Sequence, residues 1–243
     1  MVFGYFSKER QLQRLIKKAS NQLSQSPERH AALDRLREEG SEEALYHLLR
    51  RFTFTYSKTL EDEQEKEWVV EMMIVKGSAA LPPLRRYLKS ASQIGYALRI
   101  LERIADPATI LQVIDDLLAD EDPGYTRDTN KRIQLLHWLG EWHVVDAATI
   151  AQRIIPYLQD FDENTRYATV EALSQRPVPA AAPALVAALL RENEESNRIK
   201  VRIAEVLADG ALPLGDRQQE LAPLLTDLLA DFRVQRDKLV RKV

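Results

Sequence analysis

The sequence predicts an all-α protein of about six antiparallel helix pairs stacked into an α-solenoid. Apolar and basic positions recur at an offset of 34 residues, as in the columns Leu139, Leu173, Leu207 and Arg132, Arg166, Lys200. An earlier copy ends at Leu101, if a short loop is inserted near Pro123-Gly124. The chain also has few glycines, 8 in 243 residues, which favours helices over sheets. Fixed spacing of this kind indicates stacked units that bury one another's apolar faces.

Composition narrows the function classes. The chain is 45% hydrophobic and 29% charged with a net charge of -3, so there is no basic excess that would indicate nucleic acid. The absence of Cys excludes disulfides and thiolate chemistry and fits a reducing cytoplasm. No apolar run has the length of a membrane span, and the first residues do not resemble a signal peptide. We therefore expect a cytoplasmic protein, with peripheral membrane contact as the alternative.

The chain divides into three predicted segments. Residues 1-26 form a basic and aromatic helix that caps the repeats, with Ser7 as its N-cap and an apolar stripe that includes Leu12 and Leu15. Residues 27-232 form the repeats, and residues 233-243 a basic C-terminal tail. The predicted helix pairs cover 27-38 and 42-52, 61-76 and 78-89, 92-105 and 107-119, 128-141 and 146-159, 162-175 and 179-191, and 194-208 and 216-232. Residues 53-60 and 120-127 interrupt the pattern as loops.

Particular motifs resemble HEAT-like repeats. Residues 162-173, which read DENTRYATVEAL, are similar to the first helix of a bacterial HEAT-like repeat, and Ile104-Ala105-Asp106-Pro107-Ala108 is similar to its inter-helix turn. The second helices resemble the same family through the prolines Pro82, Pro156, Pro183 and Pro223. The resemblance covers residues 28-232 and implies a right-handed solenoid. The chain as a whole also resembles a group of bacterial HEAT-repeat proteins, which implies no activity.

Tetratricopeptide repeats have the same length and are the alternative fold family. Trp138-Leu139-Gly140 is similar to their opening, but Gln152 stands where that family has a small residue. The prolines of the second helices also fit HEAT-like repeats better, and we favour that family.

The second helices of such repeats line the concave face, and their charged residues are the candidate partner-binding site. They are Arg50, Arg51, Arg85, Arg86, Lys89 and Arg153. Trp142, beyond a helix end, is either a partly exposed anchor for a partner or a packing residue. Asp115 and Asp116 make the centre of this face acidic. The split charge fits a protein or an extended peptide of mixed charge better than the continuous phosphates of DNA. We therefore expect a non-enzymatic protein-binding scaffold or adaptor, with no cofactor and no catalytic residues.

The recurring basic column predicts a structural ladder. The HEAT-like resemblance implies that Arg132 and Arg166 pair with acidic residues at the start of neighbouring repeats. Asp128 and Asp162 occupy that acidic column, and Ser196 replaces them in the last copy.

Two groups of residues are candidates for an enzyme site. His137, Glu141 and His143 lack the spacing of a known metal motif, so we expect no metal site. The HEAT-like resemblance leaves a DNA-binding or DNA-glycosylase-type protein as the alternative function, for which Trp138, Trp142 and Asp146 would be the residues of a glycosylase site. The acidic centre of the array argues against it.

The N-terminus carries a further hypothesis, a peripheral membrane adaptor. Phe3, Tyr5 and Phe6 precede a basic helix, a pattern typical of segments that lie on an anionic membrane. The competing interpretation, which we favour, is that this helix caps the open end of the first repeat.

Overall fold

The structure is a computed structural model that describes the backbone of residues 2-21, 24-56 and 58-242, and the side chains from residue 9 onward within those ranges. The described chain is mostly helical, which confirms the all-α prediction. It divides into two compact units, one ending at Asp120 and the other beginning at Glu121. This division falls within the predicted loop 120-127.

The first unit consists of seven α-helices in its described part. They are α1 Val2–Ala19, α2 Ser26–Glu39, α3 Glu42–Leu49, α4 Thr59–Lys76, α5 Leu81–Ser90, α6 Gly95–Ile104 and α7 Pro107–Asp120. Short 3-10 turns at Arg50–Thr53 and Gly77–Ala80 follow α3 and α4. Ser41 caps α3 by accepting from the Ala44 N–H at 3.3 Å, and Gly40 ends α2 with a φ of 67°, a left-handed conformation that glycine adopts without strain.

The second unit contains α8 Asn130–Glu141, α9 Ala147–Ile154, α10 Glu163–Gln175, α11 Ala182–Leu189, α12 Asn197–Asp209 and α13 Ala222–Leu225, with 3-10 turns at Ile155–Gln159, Pro179–Ala181 and Gly215–Leu221. Asp162 caps α10 by accepting from the Thr165 N–H at 2.8 Å, and Ser196 caps α12 through the Ile199 N–H at 3.4 Å. The acidic column read from the sequence is therefore in part a column of helix caps.

The repeat register is confirmed in the core. Leu139, Leu173 and Leu207 are each at most 3% exposed, and Leu101 of the first unit is fully buried. First helices of successive repeats pack together, α8 on α10 and α10 on α12. At Gly140 the backbones come so close that an added Cβ would lie 2.7 Å from Ala172 Cα.

The C-terminal prediction was wrong. A helix was expected over 216-232, but the chain forms a 3-10 turn and the single-turn α13, and the expected tail forms an antiparallel hairpin of β1 Phe232–Gln235 and β2 Lys238–Arg241. Phe232 and Leu239 are buried, because alternate residues of the hairpin face the unit. Its turn residues Arg236 and Asp237 both have positive φ, which matches the twist of a two-residue hairpin.

Candidate functional site

Two of the predicted partner-binding residues line a groove between α5 and α7. Arg85 and Lys89 face Asp116 and Asp120 across a cavity of about 420 Å³, with Val113 among the apolar residues of its lining. Lys89 Nζ lies 3.3 Å from an Asp120 carboxylate oxygen. The groove therefore carries charge of both signs, and its place on a concave partner-binding face stays a prediction.

Arg86 and Arg50 are exposed but differ in their surroundings. Arg86 Nη1 donates to Glu43 at 2.6 Å, and its guanidinium lies 3.7 Å from the centre of the Tyr46 ring. The hydrogen bond from Arg86 holds the pKa of the Glu43 carboxyl below its ordinary value. Arg86 is thus held on the surface by α3, whereas Arg50 lies at the end of that helix.

Arg51 was wrongly placed on the partner-binding face. Its side chain is fully buried and contacts two carboxylates of α4, with Nε 2.7 Å from Glu65 and Nη2 2.5 Å from Asp62. Arg29 of α2, also fully buried, donates twice to Glu65, and Lys66 Nζ lies 2.6 Å from Asp62. Three cations and two carboxylates form this buried charge cluster, so Arg51 holds α4 against its neighbours instead of binding a partner.

The surroundings of the two carboxylates in the buried charge cluster favour their ionised form. Burial by itself would raise the pKa of Glu65, but hydrogen bonds from Arg29 and Arg51 outweigh it and lower that pKa. Burial likewise opposes ionisation of Asp62, yet Lys66, Arg51 and a backbone N–H lower its pKa. Each charge of the cluster is therefore paired through hydrogen bonds with a group of opposite sign, because isolated buried charges would be strongly unfavourable.

Trp142 is a packing residue and not a partly exposed anchor, the two roles that the sequence left open. It is 2% exposed and stacks on Trp138, with ring centroids 5.1 Å apart. Its carbonyl accepts from Arg176 at 3.1 Å. The indole therefore packs into the unit, although His143 and Val144 after it are exposed. Arg153 is half-buried and donates to the Thr149 carbonyl at 2.9 Å.

The residues considered for catalysis do not assemble into a site. Asp146 caps α9 by accepting from the Thr149 N–H at 2.9 Å, while Trp142 is buried. His137, Glu141 and His143 are exposed, and no cluster of metal-ligating side chains occurs in the described residues.

Phe3, Tyr5 and Phe6 have side chains outside the described residues, so the membrane hypothesis stays a prediction. No helix in the described ranges is long and apolar enough to cross a bilayer.

The basic ladder exists, but its acidic partners were misassigned. Arg132 Nη1 lies 2.6 Å from Asp160, and Arg166 Nε lies 2.7 Å from Glu194, so each arginine pairs with an acid 28 residues further on. Asp162 was expected in this role, but its carboxylate caps α10 instead. Asp160 and Glu194 are buried carboxylates that stand two residues before the caps Asp162 and Ser196, and each reaches the arginine of the preceding repeat. The side chains of the caps bond to their own helices instead.

The same arginines hold two loops. Arg132 donates to the carbonyls of Asp122 and Gly124 at 2.7 and 3.0 Å, and Arg166 donates to those of Asp160 and Phe161, both at 3.0 Å. Each guanidinium therefore satisfies a carboxylate and two loop carbonyls at once. These bonds fix the backbone of the loops that precede α8 and α10.

An exposed aromatic pair lies on these fixed loops, and the sequence analysis missed it. Tyr125 is 79% exposed and Phe161 71% exposed, and their rings meet edge to face with centroids 5.5 Å apart. They lie outside the helical periodicity, which is why the repeat columns did not reveal them. The available signal was an aromatic residue among polar residues in the loops that precede α8 and α10.

Comparisons with known proteins give a limited result. No family model and no curated protein matches the chain. One matching solved structure is human deoxyhypusine hydroxylase in complex with glycerol, with 16% identity, coverage of 93% of each chain and a TM-score of 0.35. Because that protein is an enzyme, the finding contradicts our predictions of a non-enzymatic scaffold and of a non-enzyme, and we withdraw both. A likeness of this degree transfers neither an activity nor a substrate to this chain.

Proposed function

We propose that the second unit binds a cationic segment of a partner protein at the aromatic pair Tyr125 and Phe161. The observation that carries the proposal is the contact of two large, mostly exposed rings on adjacent loops. Aromatic side chains are enriched at the energetically dominant positions of protein interfaces. An edge-to-face arrangement leaves ring faces open to a Lys or Arg side chain, which such faces attract.

The fixed loops support this proposal because they reduce the entropic cost of binding. Arg132 and Arg166 hold the loop carbonyls through four hydrogen bonds. Gly124 N–H adds a bond of 3.3 Å to the Asp160 carboxylate, which joins the two loops. A preorganised surface loses less conformational freedom on association than a mobile one does.

The charge of the loop before α8 indicates which sign of charge the ligand carries. The loop from residue 121 to 128 contains three carboxylates against one cation, Arg127. Glu121 is paired with Lys131 at 3.4 Å, which leaves Asp122 and Asp128 as the carboxylates that set the local charge. Asp122 is exposed, and no cation contacts its carboxylate within the described ranges. Negative charge beside ring faces favours a cationic group and disfavours the phosphates of nucleic acid. A basic protein segment is therefore the partner that the surface suits.

Selection from a random-peptide library displayed on phage tests the proposal on the full chain. We expect the enriched peptides to carry Lys or Arg next to an apolar residue. A synthetic peptide of that sequence should bind the Tyr125→Ala/Phe161→Ala variant about tenfold or more weakly than the original chain, since cation–π contacts and aromatic burial are both lost.

The matched control removes exposed apolar side chains elsewhere. Val75 and Val144 are 76% and 59% exposed, so Val75→Ala/Val144→Ala should leave the affinity unchanged. Enrichment of peptides without cations would contradict the proposed ligand class. Equal affinity of the peptide for the aromatic double variant would contradict the proposed site.

We further propose that the helix pairs of each unit are HEAT-like repeats with right-handed stacking. The support comes from the second unit, where helix caps, ion pairs and core leucines recur at the same positions of successive pairs. A crystal structure of the full chain would test the handedness, and left-handed stacking of successive pairs would contradict it.

A further inference from the structure

The first unit contains a second surface of unusual charge, a cavity between α1 and α2. Its volume is about 670 Å³, and it is lined by Gln11, Arg14, Leu15, Lys17, Lys18, Asn21 and Arg35. Four of these seven residues are cations and none is an acid. We call this cavity the basic cavity.

The cations of the basic cavity have no internal counter-ion. No ion pair involves Arg14, Lys17, Lys18 or Arg35 among the residues that the structure describes. The carboxylates nearest in sequence on α2 face other groups. Asp34 pairs with Arg37 at 2.7 Å, Glu38 lies 3.7 Å from the same arginine, and Glu39 accepts from the Ser41 N–H at 3.0 Å. Like charges gathered without a counter-ion repel one another, and an anion in the cavity would relieve that repulsion.

Helix-end electrostatics explain only part of this arrangement. Lys17 and Lys18 lie in the last turn of α1, where a cation interacts favourably with the helix dipole. Arg14 lies more than a turn before that end. Arg35 belongs to α2 and also precedes its last turn, where Arg37 already supplies the basic residue. The helix dipoles therefore do not account for Arg14 and Arg35, which two different helices contribute to the same cavity.

We infer that the basic cavity binds a multiply charged phosphate group. Arginine and lysine together are suited to phosphate, because guanidinium groups bind its oxygens in pairs and ammonium groups supply point charge. Leu15 adds an apolar wall that can contact the organic part of the ligand. The ligand is either a free polyphosphate-type anion or the phosphate monoester of a lipid headgroup, which share this chemistry.

Calorimetric titration with inorganic tripolyphosphate tests the site on the full chain. We expect saturable binding that weakens as salt rises from about 50 to 300 mM, since mobile ions screen exposed charges. The Lys18→Gln/Arg35→Gln variant should bind at least about tenfold more weakly. Both side chains are exposed, so the variant should keep the melting temperature of the original chain.

The matched control removes two exposed cations outside the basic cavity. Arg103→Gln/Arg233→Gln changes the net charge by the same amount and should leave tripolyphosphate affinity unchanged. An equal loss in both double variants would show attraction to overall charge and overturn the inference. Absence of any binding up to about 1 mM tripolyphosphate would also overturn it.

Vesicles distinguish the two sources of phosphate. Sedimentation would use phosphatidylcholine vesicles that contain either phosphatidic acid or phosphatidylserine. Binding to phosphatidic acid that tripolyphosphate displaces supports the site with a lipid headgroup as ligand. Tripolyphosphate binding without vesicle binding supports it with a free anion. Vesicle binding without tripolyphosphate binding overturns the inference, because the contact would then be a general membrane attraction.

Discussion

Replacing Glu65 by Gln should destabilise the first unit by about 3-5 kcal/mol, the range for removing one partner of a buried ion pair. Its carboxylate accepts hydrogen bonds from Arg29 at 2.8 and 3.0 Å, from Arg51 at 2.7 Å and from Ser26 at 3.0 Å. The substitution preserves the side-chain shape, but it leaves two fully buried guanidinium groups with Asp62 as the remaining carboxylate of the buried charge cluster. The amide also directs N–H groups towards other donors.

The same helix provides a matched control. Glu67 also accepts two hydrogen bonds from one arginine, Arg99, at 2.7 and 2.9 Å, but both side chains are about half exposed. An exposed pair contributes about 0-1 kcal/mol, so Glu67→Gln should cost no more than that. The two variants share the residue type, the helix and the chemical change. A difference between their free energies of unfolding therefore reports the effect of burial.

Native-state hydrogen exchange of the α4 amides, measured by mass spectrometry, reports the stability of the unit that contains both residues. Urea unfolding followed by circular dichroism provides an independent measurement for the whole chain. The reasoning is refuted if Glu65→Gln and Glu67→Gln change the free energy of unfolding by the same amount within about 0.5 kcal/mol. It would then follow that the cluster is no more stabilising than a surface ion pair.

Three further predictions concern the core and pH. Leu173→Ala should cost about 2-5 kcal/mol, because this leucine is 3% exposed, and an unchanged melting temperature would show that the repeat register is wrong. Gly140→Ala should cost about 1-3 kcal/mol by overpacking, since its Cβ would lie 2.7 Å from Ala172 Cα, and a stabilised variant in urea unfolding would contradict that contact. The folded state lowers the pKa of the Glu65 and Glu194 carboxyls. Their contribution to the free energy of unfolding is therefore complete above the unfolded pKa of about 4.3, and it is lost as pH falls through the lower pKa values of the folded state. Urea midpoints should therefore decline from pH 5 to pH 3, and a rise over that interval would refute the assignment.

The sequence alone determined the helical class, the order of most helices and the buried leucine column. These features depend on residues close together in the chain. Apolar periodicity, caps such as Ser41 and breaks such as Gly40 act within one helix or turn, so a local pattern is sufficient to predict them. Arg85 and Lys89 line one cavity because residues four apart share a helix face, and their role in binding a partner stays a prediction.

Tertiary structure decided where the charges and aromatic rings lie. Arg50 and Arg51 are neighbours in sequence, yet Arg50 is exposed and Arg51 is buried. The reason is that the carboxylates of α4 contact Arg51 and not Arg50. Tyr125 and Phe161 meet across 36 residues because the arginine ladder brings their loops together. Periodicity does not encode such meetings, since each depends on a partner from a distant part of the chain.

The C-terminal hairpin shows the same limit. Its turn is formed by Arg236 and Asp237 at positive φ, where the Asn-Gly type of sequence signal is absent. The turn is supported instead by a bond of 2.8 Å from the Leu214 N–H to the Asp237 carbonyl. Buried Leu239 adds the apolar contact that a two-stranded hairpin requires. The sequence predicted only a basic tail over 233-243, and packing against the rest of the unit stabilised strands there.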